Sequence, residues 1–173
     1  MKRGMAILLA AAVLLVTGCQ REDTKAQKNM TATLEHLFET ATEDEYAALA
    51  EPVSASGNEQ AAESEEMPEW MYERFASCVS DAGYEDLWSD GLLMIPVYAY
   101  EAGETLEVTD LSFQKKQQRY EFSGTVGIRK EEKTETLKIS GTIQTDGEGK
   151  VSGMQLSDAA SLLEKIGEGR PES

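Results

Sequence analysis

The chain has 173 residues, 16 of them basic and 32 acidic, for a formal charge of −16 at pH 7. A nucleic-acid binder needs a basic footprint to neutralise phosphates, and this composition excludes one. Its 40% hydrophobic content is enough for a buried core, and the length suits one small domain.

Lys2 and Arg3 precede an unbroken apolar run over 6–16. That run of eleven residues matches a signal-peptide core. A permanent membrane-spanning helix needs roughly 20 apolar residues. Small residues then lead into a cysteine, Val16-Thr17-Gly18-Cys19. This tetrad resembles the lipobox of bacterial lipoproteins: an aliphatic residue, a small residue, Gly or Ala, then Cys. Val16 stands where Leu is more usual. The resemblance implies cleavage after Gly18, a diacylglyceryl thioether on Cys19, and residence on the extracytoplasmic side of a cell membrane. Two acyl chains supply stable anchoring where one holds only marginally.

Loss of 1–18 removes Lys2 and Arg3 and leaves 14 basic against 32 acidic residues, a formal charge of −18. An anionic membrane surface repels such a body, so lipid is the expected attachment. Cys78 is then the remaining thiol, which rules out an intramolecular disulfide. It falls on the apolar side of a helical pattern and reads as a small buried residue, far in sequence from the one histidine, His36.

Residues 19–27 read as a lipidated tether and 28–158 as one α+β domain. Met30, Leu34, Leu37, Phe38 and Ala41 recur at helical spacing. Thr42 and Glu45 fit a capping box for a short second helix that buries Tyr46 and Leu49. Residues 51–66, with Pro, Ser, Gly and bunched glutamates, read as a flexible acidic loop. Glu63, Glu65 and Glu66 are taken as solvated; no metal or cofactor is expected. Pro68 opens a third helix with Met71, Phe75, Cys78, Val79 and Ala82 as its stripe and Gly83 as its stop. A helical turn with a bend at Gly91 follows. The apolar run 92–100, broken by Pro96, reads as an edge strand or extended crossing.

From Glu104 the period changes to two. Tyr120, Phe122, Gly124, Val126 and Ile128 share one strand face, and Leu137, Ile139, Gly141, Ile143 and Thr145 share another. Leu106 and Val108 have the opposite parity to Leu111 and Phe113, which predicts a β-bulge near Thr109-Asp110. A turn at Glu132-Lys133 would set Gly124 opposite Gly141. That pairing would let the sheet bend over a helix and leave a pocket lined by Tyr120 and Phe122; glycines out of register would remove the basis for both. Asp146-Gly147-Glu148-Gly149 reads as a hairpin turn, Val151 to Leu156 as the last strand, and 159–173 as a tail with a short helix.

Helices followed by an antiparallel meander define an α+β domain. With "ATEDEYAAL", "WMYERFASCVSDAGYEDLW", "YEFSGTVGI" and "ETLKISGTI" in that order, the chain resembles the nuclear transport factor 2-like (cystatin-like) superfamily. The resemblance implies N-terminal helices on a curved sheet forming a cone. In relatives such as ketosteroid isomerase an Asp base and a Tyr occupy the cone cavity. By that likeness Trp88, Tyr98, Tyr100, Tyr120 and Phe122 would line a cavity and Asp110 would reach it from the bulge. Aromatics on alternating strands are more often core, and an Asp beside a bulge more often serves the turn. The leading expectation is a non-catalytic module binding an envelope protein or a small ligand. An isomerase- or dehydratase-like enzyme and a structural piece of an envelope secretion or conjugation assembly are the alternatives.

Overall fold

A computed structural model describes residues 23–50, 68–157 and 159–167. The expected signal, Cys19 and the acidic loop 51–66 lie outside the described residues. Helix α1 covers 23–37, followed by α2 (Glu43–Ala50), α3 (Glu69–Phe75), α4 (Asp81–Ser89), a 3-10 turn (Leu92–Met94) and α5 (Ile95–Ala102). Strands β1 (Thr105–Lys116), β2 (Arg119–Lys130), β3 (Lys133–Thr145) and β4 (Val151–Leu156) form an antiparallel meander in the order β1-β2-β3-β4, and α6 (Ala159–Gly167) closes the domain. The α+β class expected from the sequence is therefore the class observed. Among the described residues no helix is long and apolar enough to cross a membrane.

Met30, Leu34, Leu37, Phe38 and Ala41 are all buried. The first three share one face of α1 by 3.6-residue periodicity, Phe38 follows with its N–H on Leu34 O, and Ala41, beyond the helix, is held by its N–H donating to Pro96 O. Helix α1 begins earlier than expected, however. Residues 23–27, read as tether, are helical, and Ala26 belongs to the core. The capping box is formed: Thr42 N–H donates to Glu45 Oε2 at 2.8 Å, and Glu45 N–H donates to Thr42 Oγ1 at 3.3 Å.

The expected third helix is two helices. α3 ends at Phe75, and the amides of Cys78 and Val79 both donate to Phe75 O. Val79 then makes a parallel bridge to Val151, and Ser80 caps α4 by accepting from Gly83 N–H. Gly83 thus lies inside α4 rather than stopping a helix, and Ala82 is exposed rather than on the core stripe. Glycine is required there by close approach, since a Cβ would stand 2.2 Å from Val151 O. Asp86, one turn on, accepts from Met154 N–H at 2.7 Å and so satisfies a donor of β4.

The run 92–100 is also a correction. It forms the 3-10 turn and α5, entered through a bend at Gly91 with φ 70°. Pro96 falls in the first turn of α5, where a missing N–H costs nothing, so it starts a helix instead of breaking a strand. Ile95, Pro96, Val97, Ala99 and Ala102 are all buried, and this nearly all-round apolarity hides the helical period.

The strands keep their expected faces. Tyr120, Phe122, Gly124, Val126 and Ile128 are buried, and β1 slips register between Thr109 and Ser112, with Asp110 at φ 54°. The central turn is displaced by one residue, to Glu131-Glu132, with Glu131 at φ 55°. Gly124 consequently pairs with Ile139 and Gly141 with Phe122. The two glycines are out of register, so the paired-glycine basis for a bend and for a pocket beyond it is absent. Each glycine instead admits a large strand neighbour: a Cβ on Gly124 would meet Leu111 Cδ2 at 2.8 Å, and one on Gly141 would meet Phe122 Cε1 at 2.7 Å.

Candidate functional site

In this meander the β1–β2 and β3–β4 turns lie at one end of the sheet, and the start of α1 is wedged between them. Tyr120 Oη donates to Asp23 Oδ1 at 2.9 Å, and Lys115 Nζ donates to the same oxygen. Lys115 and Tyr120 are cross-strand partners, with the ammonium 5.6 Å from the ring centroid. Further along α1, Asn29 Nδ2 donates to Gly149 O at 2.8 Å, and Gly149 packs on Ala26. The Asp146 carboxylate holds the second turn by accepting from Glu148 and Lys150 amides. That use agrees with the reading of this segment as a hairpin turn.

The electrostatics follow from these contacts. Hydrogen bonds from Lys115 and then Tyr120 hold the Asp23 carboxyl below the usual carboxylate range, against a small opposing effect of burial. The same bond to Asp23 raises the Lys115 ammonium. For the Tyr120 phenol, burial first and the bond to Asp23 second push deprotonation upward. Asp23 also sits at the positive end of the α1 dipole. Open, polar depressions border the cluster, lined by Lys116, Arg119, Gln144, Asp146 and Glu148 among others.

The five proposed cavity residues are dispersed. Tyr120 lines the depressions at the turns, while Phe122 lines another with Gly141 and Leu156. Trp88, Tyr98 and Tyr100 line none of these; Trp88 and Tyr98 pack half-buried against the core, and Tyr100 meets Tyr46 at a tilt of 30° with centroids 4.6 Å apart. Asp110 is exposed on the bulge and accepts from Thr109 Oγ1, so no acid–tyrosine pair of the isomerase kind forms around it. Among the described residues no group of three His, Cys, Asp or Glu side chains is placed to hold a metal ion.

Cys78 is 1% exposed and its Sγ bonds Phe75 O; burial pushes the thiol up, away from nucleophilic character. His36 is nearer to it than sequence distance suggested, because α1 packs on α3. Its ring meets Phe75 edge-on at 5.7 Å, but its polar partner is Glu39.

The Asp23–Lys115–Tyr120 cluster was not visible in the sequence. Asp23 falls in the expected tether, and no periodicity reports a contact across ninety-odd residues. Compared with known proteins, the chain matches no family model, no curated protein and no solved structure.

Proposed function

We propose that the chain is a lipid-anchored cell-envelope protein, held on the extracytoplasmic side of a membrane through Cys19, whose α+β domain is a non-catalytic interaction module. The observation that carries this reading is the tetrad Val16-Thr17-Gly18-Cys19 behind a basic start and an eleven-residue apolar run. The fixed start of α1 at Asp23 supports it: a folded domain on so short a tether is a reasonable design for something presented at a surface. The depressions beside the anchor-proximal turns are open and polar, which suits a polar or charged partner better than an enclosed apolar ligand. Kinship with the nuclear transport factor 2-like superfamily is proposed on element order alone, helices ahead of an antiparallel meander, without the paired glycines that would have added to it.

The test is Cys19→Ala in the native host. The variant should accumulate as a longer, unprocessed precursor, held in the membrane by its uncleaved apolar run, and take up no labelled palmitate. Maturation to the wild-type mass with label retained would overturn the reading.

A further inference from the structure

We propose that the tip of the β1–β2 hairpin, carrying Lys116 and Arg119, docks on the phosphate headgroups of an anionic membrane and stands the domain upright over its anchor. The inference rests on the lipid-anchor reading and adds an orientation and a contact surface to it.

The first ground is reach. Three residues separate Cys19 from Asp23, so their Cα atoms lie within about 14 Å of each other even with the chain fully extended. Asp23 is bonded to Lys115 and Tyr120, which flank the hairpin tip. The tip is therefore confined near the bilayer surface, at a range comparable to the Debye length of about 10 Å.

The second ground is charge. The stretch 111–120 holds Lys115, Lys116 and Arg119 and no acid, in a mature chain of net charge −18. Lys115 is engaged by Asp23, whereas Lys116 reaches Glu121 only at 4.0 Å with both side chains about half exposed. Arg119 is exposed and, among the described residues, makes no ion pair; Gln117 and Gln118 supply further exposed donors between them. Lys25 and Lys28 add two exposed ammonium groups on α1 at the same end. Among the described residues the acids there are partly occupied: Asp23 by Lys115 and Tyr120, and Asp146 by its own turn, leaving Glu121 and Glu148.

The third ground is the opposite end. A twelve-residue strand such as β2 is about 40 Å long. The Glu131-Glu132 turn is thus carried several Debye lengths from a surface that touches the first turn. A membrane with anionic lipid attracts the tip and repels the acidic body, and both forces favour the same upright pose.

The test uses the full, acylated protein in vesicles of phosphatidylcholine alone or of equal phosphatidylcholine and phosphatidylglycerol. A fluorophore is placed by Gln118→Cys or, as the far control, by Glu132→Cys, with a quencher on lipid headgroups. Quenching at 118 should exceed that at 132 severalfold in the anionic vesicles. The excess should shrink in phosphatidylcholine and at high salt to the level that the tether alone imposes; an excess unchanged by lipid charge would overturn the docking. In Lys116→Glu/Arg119→Glu the excess should be no larger in anionic vesicles than in phosphatidylcholine. That variant should keep its circular dichroism and its flotation with vesicles. Equal quenching at the two positions, with mass spectrometry confirming acyl on Cys19, would overturn the docking while leaving the anchor intact. Absence of the acyl group would overturn the anchor, and the docking with it. Reversal of the quenching by inorganic phosphate at matched ionic strength would assign the tip to a soluble anion and overturn the membrane contact.

Discussion

At the scale of single residues, three glycines separate two kinds of crowding. A Cβ on Gly83 would lie 2.2 Å from Val151 O, and one on Gly141 would lie 2.0 Å from Gln155 O; both obstacles are backbone. A Cβ on Gly124 would first meet Leu111 Cδ2 at 2.8 Å, the end of a side chain that can rotate away. Within a helix, Gly→Ala ordinarily stabilises by about 1 kcal/mol. Gly83→Ala should do the reverse and lower the urea midpoint by the equivalent of about 1–3 kcal/mol, because α4 must lift off β4. Gly141→Ala should behave likewise, and Gly124→Ala should cost least of the three. A Gly83→Ala protein as stable as the parent would mean that the α4–β4 contact is looser than described. None of this ranking can be read from the sequence, where Gly83 resembles a helix stop as closely as it resembles a contact glycine.

At the scale of elements, Arg74 joins α3 to its neighbours. Its Nη2 reaches Glu45 Oε1 and Oε2 at 2.8 and 2.7 Å, its Nη1 donates to Glu39 O at 3.0 Å, and its guanidinium lies 5.3 Å from the Trp70 ring centroid. The Arg74 side chain is 9% exposed and that of Glu45 22%. Arg74→Ala should cost roughly 2 kcal/mol, between the value near 1 for exposed pairs and 3–5 for buried ones. Arg74→Lys should recover little, since a single ammonium cannot reach the Glu45 carboxylate and the Glu39 carbonyl at once, as Nη2 and Nη1 do. Thermal melts of the three proteins would check this, and full rescue by Lys would reduce the contact to simple charge. This link joins residues distant in sequence, and so lay beyond reach of periodicity. Elements whose apolar residues keep a clear period were legible: the α1 stripe, the strand faces, and the bulge revealed by the parity change from Val108 to Leu111. α5 was not, because Pro96 in its first turn and burial on nearly all sides mimic an interrupted strand. The β2–β3 turn was off by one residue because Glu131, Glu132 and Lys133 carry no turn signature. Moving the turn by one residue also leaves every side chain on its expected face. For the candidate site, Tyr120 was legible as a residue on the inward strand face, but its cross-turn neighbour Lys115 and their shared acceptor Asp23 were not.

At the scale of the whole molecule, two electrostatic effects of opposite direction act on stability as pH falls. The first is the chain's formal charge of −16, which repels itself more in the compact state than in the unfolded one. Between pH 7 and about 5, ordinary exposed carboxylates begin to bind protons, and this repulsion eases. The second effect is local. Burial raises the Glu45 carboxyl, but the Thr42 amide, the Arg74 charge and their hydrogen bonds outweigh it and hold the group below its usual range. Asp23 is depressed by Lys115 and Tyr120. A depressed carboxylate contributes stability that is fully present above its unfolded pKa and lost as pH falls through the folded one. Both contributions are therefore intact at pH 5 and disappear only below the ordinary carboxylate range, near 4. The melting temperature should rise from pH 7 to about 5 and then fall steeply. Added salt discriminates between the two effects, since it screens diffuse repulsion strongly and short, partly buried pairs weakly. Sodium chloride should raise the melting temperature at pH 7, by roughly 2–4 °C for each kcal/mol of repulsion removed. It should flatten the climb toward pH 5 and leave the acid limb in place. In Arg74→Ala the acid limb should become shallower, because Glu45 then keeps less of its depressed pKa. If salt instead lowered the melting temperature at pH 7, the specific pairs would outweigh net charge, and the acidic surface would cost the fold little.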